Sequence, residues 1–319
     1  MIKINCKKAS AEIENFIRTE AGRFRKKGAV IGISGGIDSS VAATLCARAL
    51  GAGKVLGVIL PEKESANTSA IYADTLAAKL GIKVQERDIS SILDAFGVYS
   101  IREKIVKKYF PEHRTGDMFR IVMPGNILIS KQLNVPSLEI KDKRGKTRRE
   151  LLSADDYLSM IAATNIKHRV RMTILYHYAE ENNYLVAGTT NLTEFLLGFF
   201  VKYGDGGVDI DPIRHLYKTQ AYKLAKYLNV PNGIINRVPS PDTFSYPVSD
   251  EEYYFRLPYE TLDLLLAALI KDIPLKKVKS ALSVNSEQIK RIFFDLRSKY
   301  KIGRYLRGGP SGLRLVSMS

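Results

Sequence analysis

Ten residues, Ile31-Gly-Ile-Ser-Gly-Gly-Ile-Asp-Ser-Ser40, constrain this 319-residue chain more than any other stretch. The apolar run Ala29–Ile33 predicts a buried strand. It stops at Ser34-Gly35-Gly36, and Asp38-Ser39 then open an apolar helix through Val41, Leu45 and Leu50. Two glycines let the backbone turn tightly and bring successive N–H groups close to a ligand. The helix N-terminus behind them adds partial positive charge, so the corner suits an anion, most naturally a polyphosphate. No Gly-Lys-Ser/Thr closes the loop, which excludes a Walker A cradle. The plainer reading is an ordinary strand–turn–helix corner.

The length predicts one large domain carrying an insertion or a small cap. No apolar run approaches the roughly 20 residues that span a bilayer, which excludes a membrane-embedded class. Met1–Ser10 lacks the apolar stretch of a secretory signal, and Cys6 and Cys46, the two cysteines, have no metal or redox spacing. A reducing cytoplasm is the expected location. The net charge of +16 is uneven: residues 101–150 carry 13 Lys/Arg against 6 Asp/Glu, and residues 271–319 carry 12 against 3. Nucleic acid is one partner such segments suit. Neither interleaves aromatics as a base-stacking platform would, so a phosphate-rich small substrate or a solvated basic face is the preferred reading.

Helical spacing over Ala11–Lys26 leads into the first strand. Lys54–Leu60 is a second continuous apolar strand, Ser65–Leu80 a helix closed by Gly81, and Ile82–Asp88 a third strand. Strands alternating with helices of this length predict parallel βαβ units, hence a doubly wound α/β sheet with its ligand beyond the strands' carboxyl ends. The rhythm breaks over about 96–153. There Phe119–Met123, Ser137–Lys141 and Thr147–Leu152 look strand-like, and Asp142–Lys146 could turn a hairpin. A helix over Ala154–Tyr178, broken near Thr164-Asn165, resumes the pattern, followed by a strand at Tyr184–Ala187 and a helix at Leu216–Leu228. Three helical segments are expected near 258–270, 274–282 and 285–299. The expected organisation is 1–245 as the nucleotide domain, with the insertion at about 96–153, and 246–319 as a basic helical segment packed on it.

Three further stretches stand in a fixed order after the first. They are Asn165-Ile-Lys-His-Arg-Val-Arg-Met172, then Gly188-Thr-Thr-Asn-Leu-Thr-Glu194 with Gly198–Asp209, and Leu216-Tyr-Lys-Thr-Gln220. With Ser34–Ser39 they resemble the ammonia-dependent NAD synthetases, the amide-forming branch of the PP-loop ATP pyrophosphatases. The resemblance covers about 10–92 and 160–245. It implies the adenine nucleotide alpha-hydrolase-like fold, and an adenylating ligase that converts deamido-NAD, ATP and ammonia to NAD, AMP and pyrophosphate.

Pyrophosphate needs its charge neutralised as it leaves, by backbone donors and by a cation on carboxylates. Asp38 and Glu194 are the candidate Mg²⁺ carboxylates, two being enough when phosphates complete the shell. Lys218, opening a helix, is placed to reach phosphate as a flexible point charge. The plainer readings are a helix cap for Asp38 and surface charges for Glu194 and Lys218. By resemblance Ser34, Gly35, Gly36, Ser39, Arg169, Thr189 and Ser240 contact ATP. Arg171, Lys202, Asp205 and Asp209 line the dinucleotide pocket by the same route. Cys46 reads as core, and the four histidines lack metal-ligand spacing.

Three features depart from the family pattern, and all fall on the substrate side. After Ser249-Asp-Glu the chain reads Glu252-Tyr-Tyr-Phe-Arg-Leu-Pro-Tyr259 in place of a Glu-Leu-Gly segment. Tyr300-Lys-Ile-Gly-Arg304 replaces a His-Lys-Arg, and the insertion fills ground that is short in the family. Amidation of another carboxylate, a sugar acid or a biosynthetic intermediate, is therefore the alternative, with a tRNA-modifying PP-loop enzyme behind it. Only some 30 residues precede the loop, too few for a glutaminase, so the expected donor is free ammonia or ammonia from a separate protein. The resemblance also implies a homodimer.

Overall fold

A computed structural model describes residues 2–312, apart from 115, 131, 133, 272, 275, 276, 279–281 and 283. Four parallel strands form the central sheet: β1 (Ala29–Gly32), β2 (Val55–Ile59), β3 (Lys83–Glu86) and β7 (Leu185–Ala187), in the order β3-β2-β1-β7. Register is set by Ile31 opposite Gly57 on one side and Ala187 on the other. Successive side chains of a strand point to opposite faces, so each strand feeds two cores. Ala29, Ile31, Val55, Ile59, Leu185 and Ala187 face one of them. That core is covered by α1 (Cys6–Arg23), α2 (Ile37–Leu50), α3 (Asn67–Leu80), α8 (Lys218–Tyr227) and α9 (Asn232–Ile235). Val30, Leu56, Val58 and Val186 face the other, under α4 (Ser90–Ala95), α5 (Val98–Tyr109) and α6 (Ala154–Asn182). Burial on both faces is why these strands carry continuous apolar runs.

Chain order steps from β1 to β2 to β3 in one direction, and β7 is added on the other side of β1. The crevice between β1 and β7 is thus the switch point at which such sheets bind ligands. The loops after those strands, Ile33–Gly36 and Gly188–Asn191, flank it.

The segment expected to break the rhythm forms an antiparallel sheet of β4 (Met118–Val122), β5 (Ser137–Lys141) and β6 (Thr147–Leu151). Its hairpin closes where Asp142 Oδ1 accepts the amides of Arg144 and Lys146, each at 2.9 Å, with Gly145 at φ +84°. The inner face packs with Ile105, Val106, Met160, Phe244 and Val248. Two expectations need correction. Helix α6 runs unbroken through Thr164-Asn165, because the buried Thr164 hydroxyl folds back onto the Met160 carbonyl at 2.8 Å and leaves the helical ladder intact. Helix α5 fills the start of the 96–153 stretch, where no helix was expected, its pattern disguised by a fully buried arginine, Arg102.

At the C-terminal end, α7 (Leu192–Leu197), a π-helical turn at Glu251–Phe255, α10 (Tyr259–Ile270) and α11 (Ser286–Arg307) share a third core around Phe255, Leu262, Leu266, Ile292 and Leu296. Most of the helix expected near 274–282 lies outside the described residues. Helices α7 and α11 come close where a side chain on Gly198 would strike the Gly303 backbone. Arg307 caps that crossing by donating to the carbonyls of Phe195 and Leu196 at 2.8 and 2.7 Å. Among the described residues no helix is long and apolar enough to cross a membrane.

One ionic cluster fastens the loop after β2 to α5, α6 and the loop at Thr243. Lys167 of α6, wholly buried, donates to Glu62 at 2.7 Å, to Glu64 at 2.6 Å and to the Thr243 carbonyl at 3.0 Å. Arg102 donates to Glu64 and to the same carbonyl, and Tyr99 donates to Glu62 at 2.8 Å. Burial works against the Glu62 charge, yet the bonded Lys167 ammonium holds its carboxyl below the usual range. Lys167→Met leaves the buried Glu62 without its ammonium partner and the part-buried Glu64 paired to Arg102 alone, and should cost about 3–5 kcal/mol in urea denaturation. A loss below 1 kcal/mol would contradict the burial of this cluster.

Candidate active site

The phosphate loop is built by its glycines. Gly35 sits at φ +69°, and a side chain there would also strike the Ser69 carbonyl oxygen, so both conformation and space demand glycine. Gly36 precedes α2 in extended geometry and offers no side-chain cap. The first-turn amides of α2 lack helical partners, as at any helix start, and with no cap on them they stay available to an anion. The serines brace the turn: Ser34 Oγ and Ser39 Oγ lie 3.2 Å apart. The hydroxyls of Ser39 and Ser40 both donate to the Gly36 carbonyl, at 3.0 and 2.7 Å.

Three of the expected residues converge beside this loop. Lys218, at the start of α8 and only 3% exposed, donates from Nζ to Asp38 Oδ2 and, at 3.1 Å, to Glu194 Oε1. Glu194 is the third residue of α7, in a capping box. Asn191 Oδ1 accepts the Glu194 amide at 3.1 Å, and Glu194 Oε2 accepts the Asn191 amide at 3.3 Å. Asn191 Nδ2 also donates to Asp38 Oδ1 at 3.2 Å, so one side chain ties the α7 cap to the phosphate loop. Asp38 is therefore more than a helix cap, and neither Glu194 nor Lys218 is a surface charge.

The electrostatics of this group are lopsided. Burial, helped by Asp38 and opposed by Lys218, pushes the Glu194 carboxyl up to about 8. Burial also raises Asp250, whose Oδ2 accepts from Tyr259 Oη at 2.8 Å and whose Oδ1 lacks a hydrogen-bond partner. Although burial disfavours the Lys218 ammonium, Asp38, Glu194 and Asp250 together hold its pKa well above the usual lysine range. Three carboxyl groups thus face one ammonium, and burial favours the neutral acid at Glu194 and Asp250. A divalent cation would favour their ionised forms, and Asp38 and Glu194, both bonded to Lys218 Nζ, are the groups that could offer it hard oxygens. Among the described residues no cluster of three or more His, Cys, Asp or Glu could hold a metal. A cation here would need ligand oxygens besides the protein's, the usual condition for Mg²⁺.

Other expected residues scatter around this centre. Arg171 donates to the Leu60 carbonyl at 3.1 Å, at the end of β2. Arg169 turns away and donates to the Lys202 carbonyl at 3.3 Å. Thr189 lies on the loop after β7, half-buried. Ser240 Oγ accepts the Asp242 amide at 3.2 Å in the neighbouring loop. The structure does not bring Lys202, Asp205 and Asp209 to the phosphate loop. Lys202 donates to the Tyr305 carbonyl at 3.3 Å, and Asp205 accepts the Val201 amide at 2.8 Å. Asp209 accepts from Tyr176 Oη at 3.0 Å and from the Val186 amide at 2.7 Å. A cleft of about 520 Å³ lies beside them, lined in part by Tyr176, His177, Tyr203 and Gly207.

Sequence reasoning missed several residues of the site wall. Arg237 donates to Ser69 Oγ at 2.8 Å and to the Ser34 carbonyl at 3.4 Å, with Asp242 3.8 Å away. Asp242 accepts from Ser69 Oγ at 2.7 Å and from the Ala66 amide at 3.3 Å. Both lie in a proline-punctuated loop with no periodicity to betray them. The Asn191-Leu-Thr-Glu194 capping box could have been recognised from its spacing.

Comparison with known proteins agrees with this fold. The family model for NAD synthase matches residues 9–115 and 123–304, a wider span than the four stretches above. The NH(3)-dependent NAD(+) synthetase of Mesorhizobium japonicum is 40% identical over 306 residues, 95% of this chain and 96% of that protein. Its namesake from Thermotoga maritima is 38% identical over 292 residues, 90% and 94% of the two chains. Among solved structures, an NH3-dependent NAD synthetase from Campylobacter jejuni superposes with a TM-score of 0.64 at 25% identity, covering 98% of this chain and all (100%) of that one. The NMN synthetase of Francisella tularensis shares the fold at a TM-score of 0.67 and 23% identity, with coverage of 98% and 100%. The sheet is thus the PP-loop, adenine nucleotide alpha-hydrolase-like fold, and the chain belongs to the NAD synthase family.

Proposed function

We propose that this chain is an ammonia-dependent NAD synthetase. In the first step a carboxylate oxygen of deamido-NAD attacks the α-phosphorus of ATP. The bond to the bridging α–β oxygen breaks, and pyrophosphate leaves an acyl-adenylate behind. In the second step ammonia attacks the acyl carbon, AMP departs with the bridging oxygen, and the nitrogen sheds a proton to leave the amide. The observation that carries the reading is the meeting of Asp38, Glu194 and Lys218 at the mouth of the Ser34–Ser39 loop. It is joined by 40% identity across nearly the whole chain to an NH(3)-dependent NAD(+) synthetase.

In this proposal the α2 first-turn amides hold the phosphate oxygens, with Ser34 and Ser39 shaping the loop around them. Lys218 moves part of its charge from Asp38 to the departing pyrophosphate. Asp38 and Glu194 would hold Mg²⁺, which when bound would supply charge neutralisation to the phosphates. Arg169, Thr189 and Ser240 belong to the ATP side, and Arg171, Lys202, Asp205 and Asp209 to the dinucleotide side. A homodimer, a cytoplasmic location and delivery of ammonia either free or from a separate protein complete the proposal. The unpaired Cys6 and Cys46 are consistent with a reducing compartment.

Purified protein given MgATP, ammonia and deamido-NAD should form NAD, AMP and pyrophosphate in equal amounts. Asp38→Ala should lower kcat/KM by roughly 10²–10³-fold at unchanged folding. No NAD from the wild type, with turnover of another acid, would sink the reading, and an undiminished Asp38→Ala would remove the loop from catalysis. A pH dependence should accompany it. A protonated Glu194 must lose its proton to bind a cation, so Mg²⁺-dependent ATP binding should strengthen as pH rises from 6 and level off above about 8. Glu194→Gln should flatten that rise; a wild-type affinity independent of pH would refute the assignment.

A further inference from the structure

We propose that Asp263 is a positioning residue for the reaction assigned above, its carboxylate bolting the first turns of α7 and α8 together and so fixing Glu194 against Lys218. The inference rests on that assignment of the two residues. Asp263 lies on α10 and is completely buried. Its Oδ1 accepts from the Thr193 hydroxyl at 2.5 Å, and its Oδ2 accepts the Thr219 amide at 2.8 Å. Thr193 immediately precedes Glu194, and Thr219 immediately follows Lys218. A third bond closes the unit: the Lys218 amide donates to Thr193 Oγ1 at 3.3 Å. One carboxylate therefore spans two helix starts whose next residues meet 3.1 Å apart in the site.

The composition of α10 makes this carboxylate conspicuous. Its buried neighbours are Leu262, Leu265, Leu266, Ala267 and Ala268, and an apolar residue at 263 would avoid the desolvation of a charge. Among the described residues Asp263 forms no ion pair, so the Thr193 hydroxyl, the Thr219 amide and side chain, the nearby Lys218 charge and the partial positive charge of the α8 N-terminus are what compensate it. Tyr259, one turn earlier on α10, also faces the site. It donates to Asp250 and lays its ring 5.1 Å from Lys218 Nζ. Helix α10 thus presents a polar strip, Tyr259 and Asp263, to the reacting groups and an apolar surface to the third core.

The experiment compares wild type with Asp263→Asn, Thr193→Val and the double variant, both substitutions being close in shape. Thermal midpoint and far-ultraviolet circular dichroism report folding, calorimetry reports MgATP affinity, and steady-state kinetics report KM for each substrate. Each single variant should bind MgATP roughly 10–100-fold more weakly and lose a similar factor in kcat, with KM for deamido-NAD within twofold of wild type. The double variant should be little worse than either single, because both remove one bonded unit. MgATP affinity within twofold of wild type in Asp263→Asn would overturn the inference. So would a loss that disappears once activity is scaled to the folded fraction. If Asp263→Asn does not fold, Thr193→Val decides by the same affinity criterion. A wild type that binds MgATP and makes no NAD would overturn the assigned reaction alone, leaving Asp263 judged on MgATP affinity.

Discussion

The ammonium of Lys218 is the point at which this fold becomes a site. It ties α8 to Asp38 on α2 and to Glu194 on α7, three helices that start at different edges of the crevice. Both carboxylates are partly buried, and they would repel each other without it. The ammonium makes their proximity tolerable. Position follows from the strands: β1 and β7 lie side by side, so the helices that follow them must begin together. The parallel sheet is therefore the reason residues 38 and 194 can meet at all.

Around that point the structure is layered by what must be rigid. The phosphate loop is fixed by backbone geometry, since Gly35 admits no side chain and the serines close the turn on themselves. The loop after β2 and the loop after Pro239 are fixed by side chains instead, through Lys167, Arg102 and the Ser69–Asp242–Arg237 contacts. The C-terminal helices contribute from behind. Arg307 and Gly303 set α11 against α7, and α7 carries Glu194. The C-terminal helices thus act on the site through contacts with the elements that bear its charged groups.

Much of the central sheet was legible because its signals are local. A buried parallel strand is a continuous apolar run, and the turn after β1 needs glycines that stand out in any reading. Asp38, Glu194 and Lys218 were legible for a different reason: each opens a helix within a stretch that resembles a known family. What escaped depended on partners distant in sequence. Arg102 and Lys167 look like exposed charges until Glu62, Glu64 and Thr243 surround them. Asp263 looks like a stray acid in an apolar helix until Thr193 and Thr219 reach it. Thr164-Asn165 looked like a helix break because such residues compete for backbone bonds, and the Thr164 hydroxyl instead bonds within its own helix. Asp205 and Asp209 belong with these. Family resemblance assigns them to the substrate side, and in the fold one oxygen of each accepts a backbone amide, from Val201 and Val186, a contact no local pattern announces.

The buried cluster around Lys167 has equal numbers of opposite charges, Glu62 and Glu64 against Lys167 and Arg102, whereas the chain as a whole carries +16. Mobile ions screen exposed charges over about 8 Å at physiological strength and reach buried pairs far less. Ionic strength therefore addresses two separate populations. Added salt relaxes the mutual repulsion of the basic exterior, where the Lys and Arg excess lies, and leaves the neutral quartet at the crevice wall almost untouched. A preparation held in low salt and one held in high salt should differ in how molecules meet each other far more than in how the crevice is shaped.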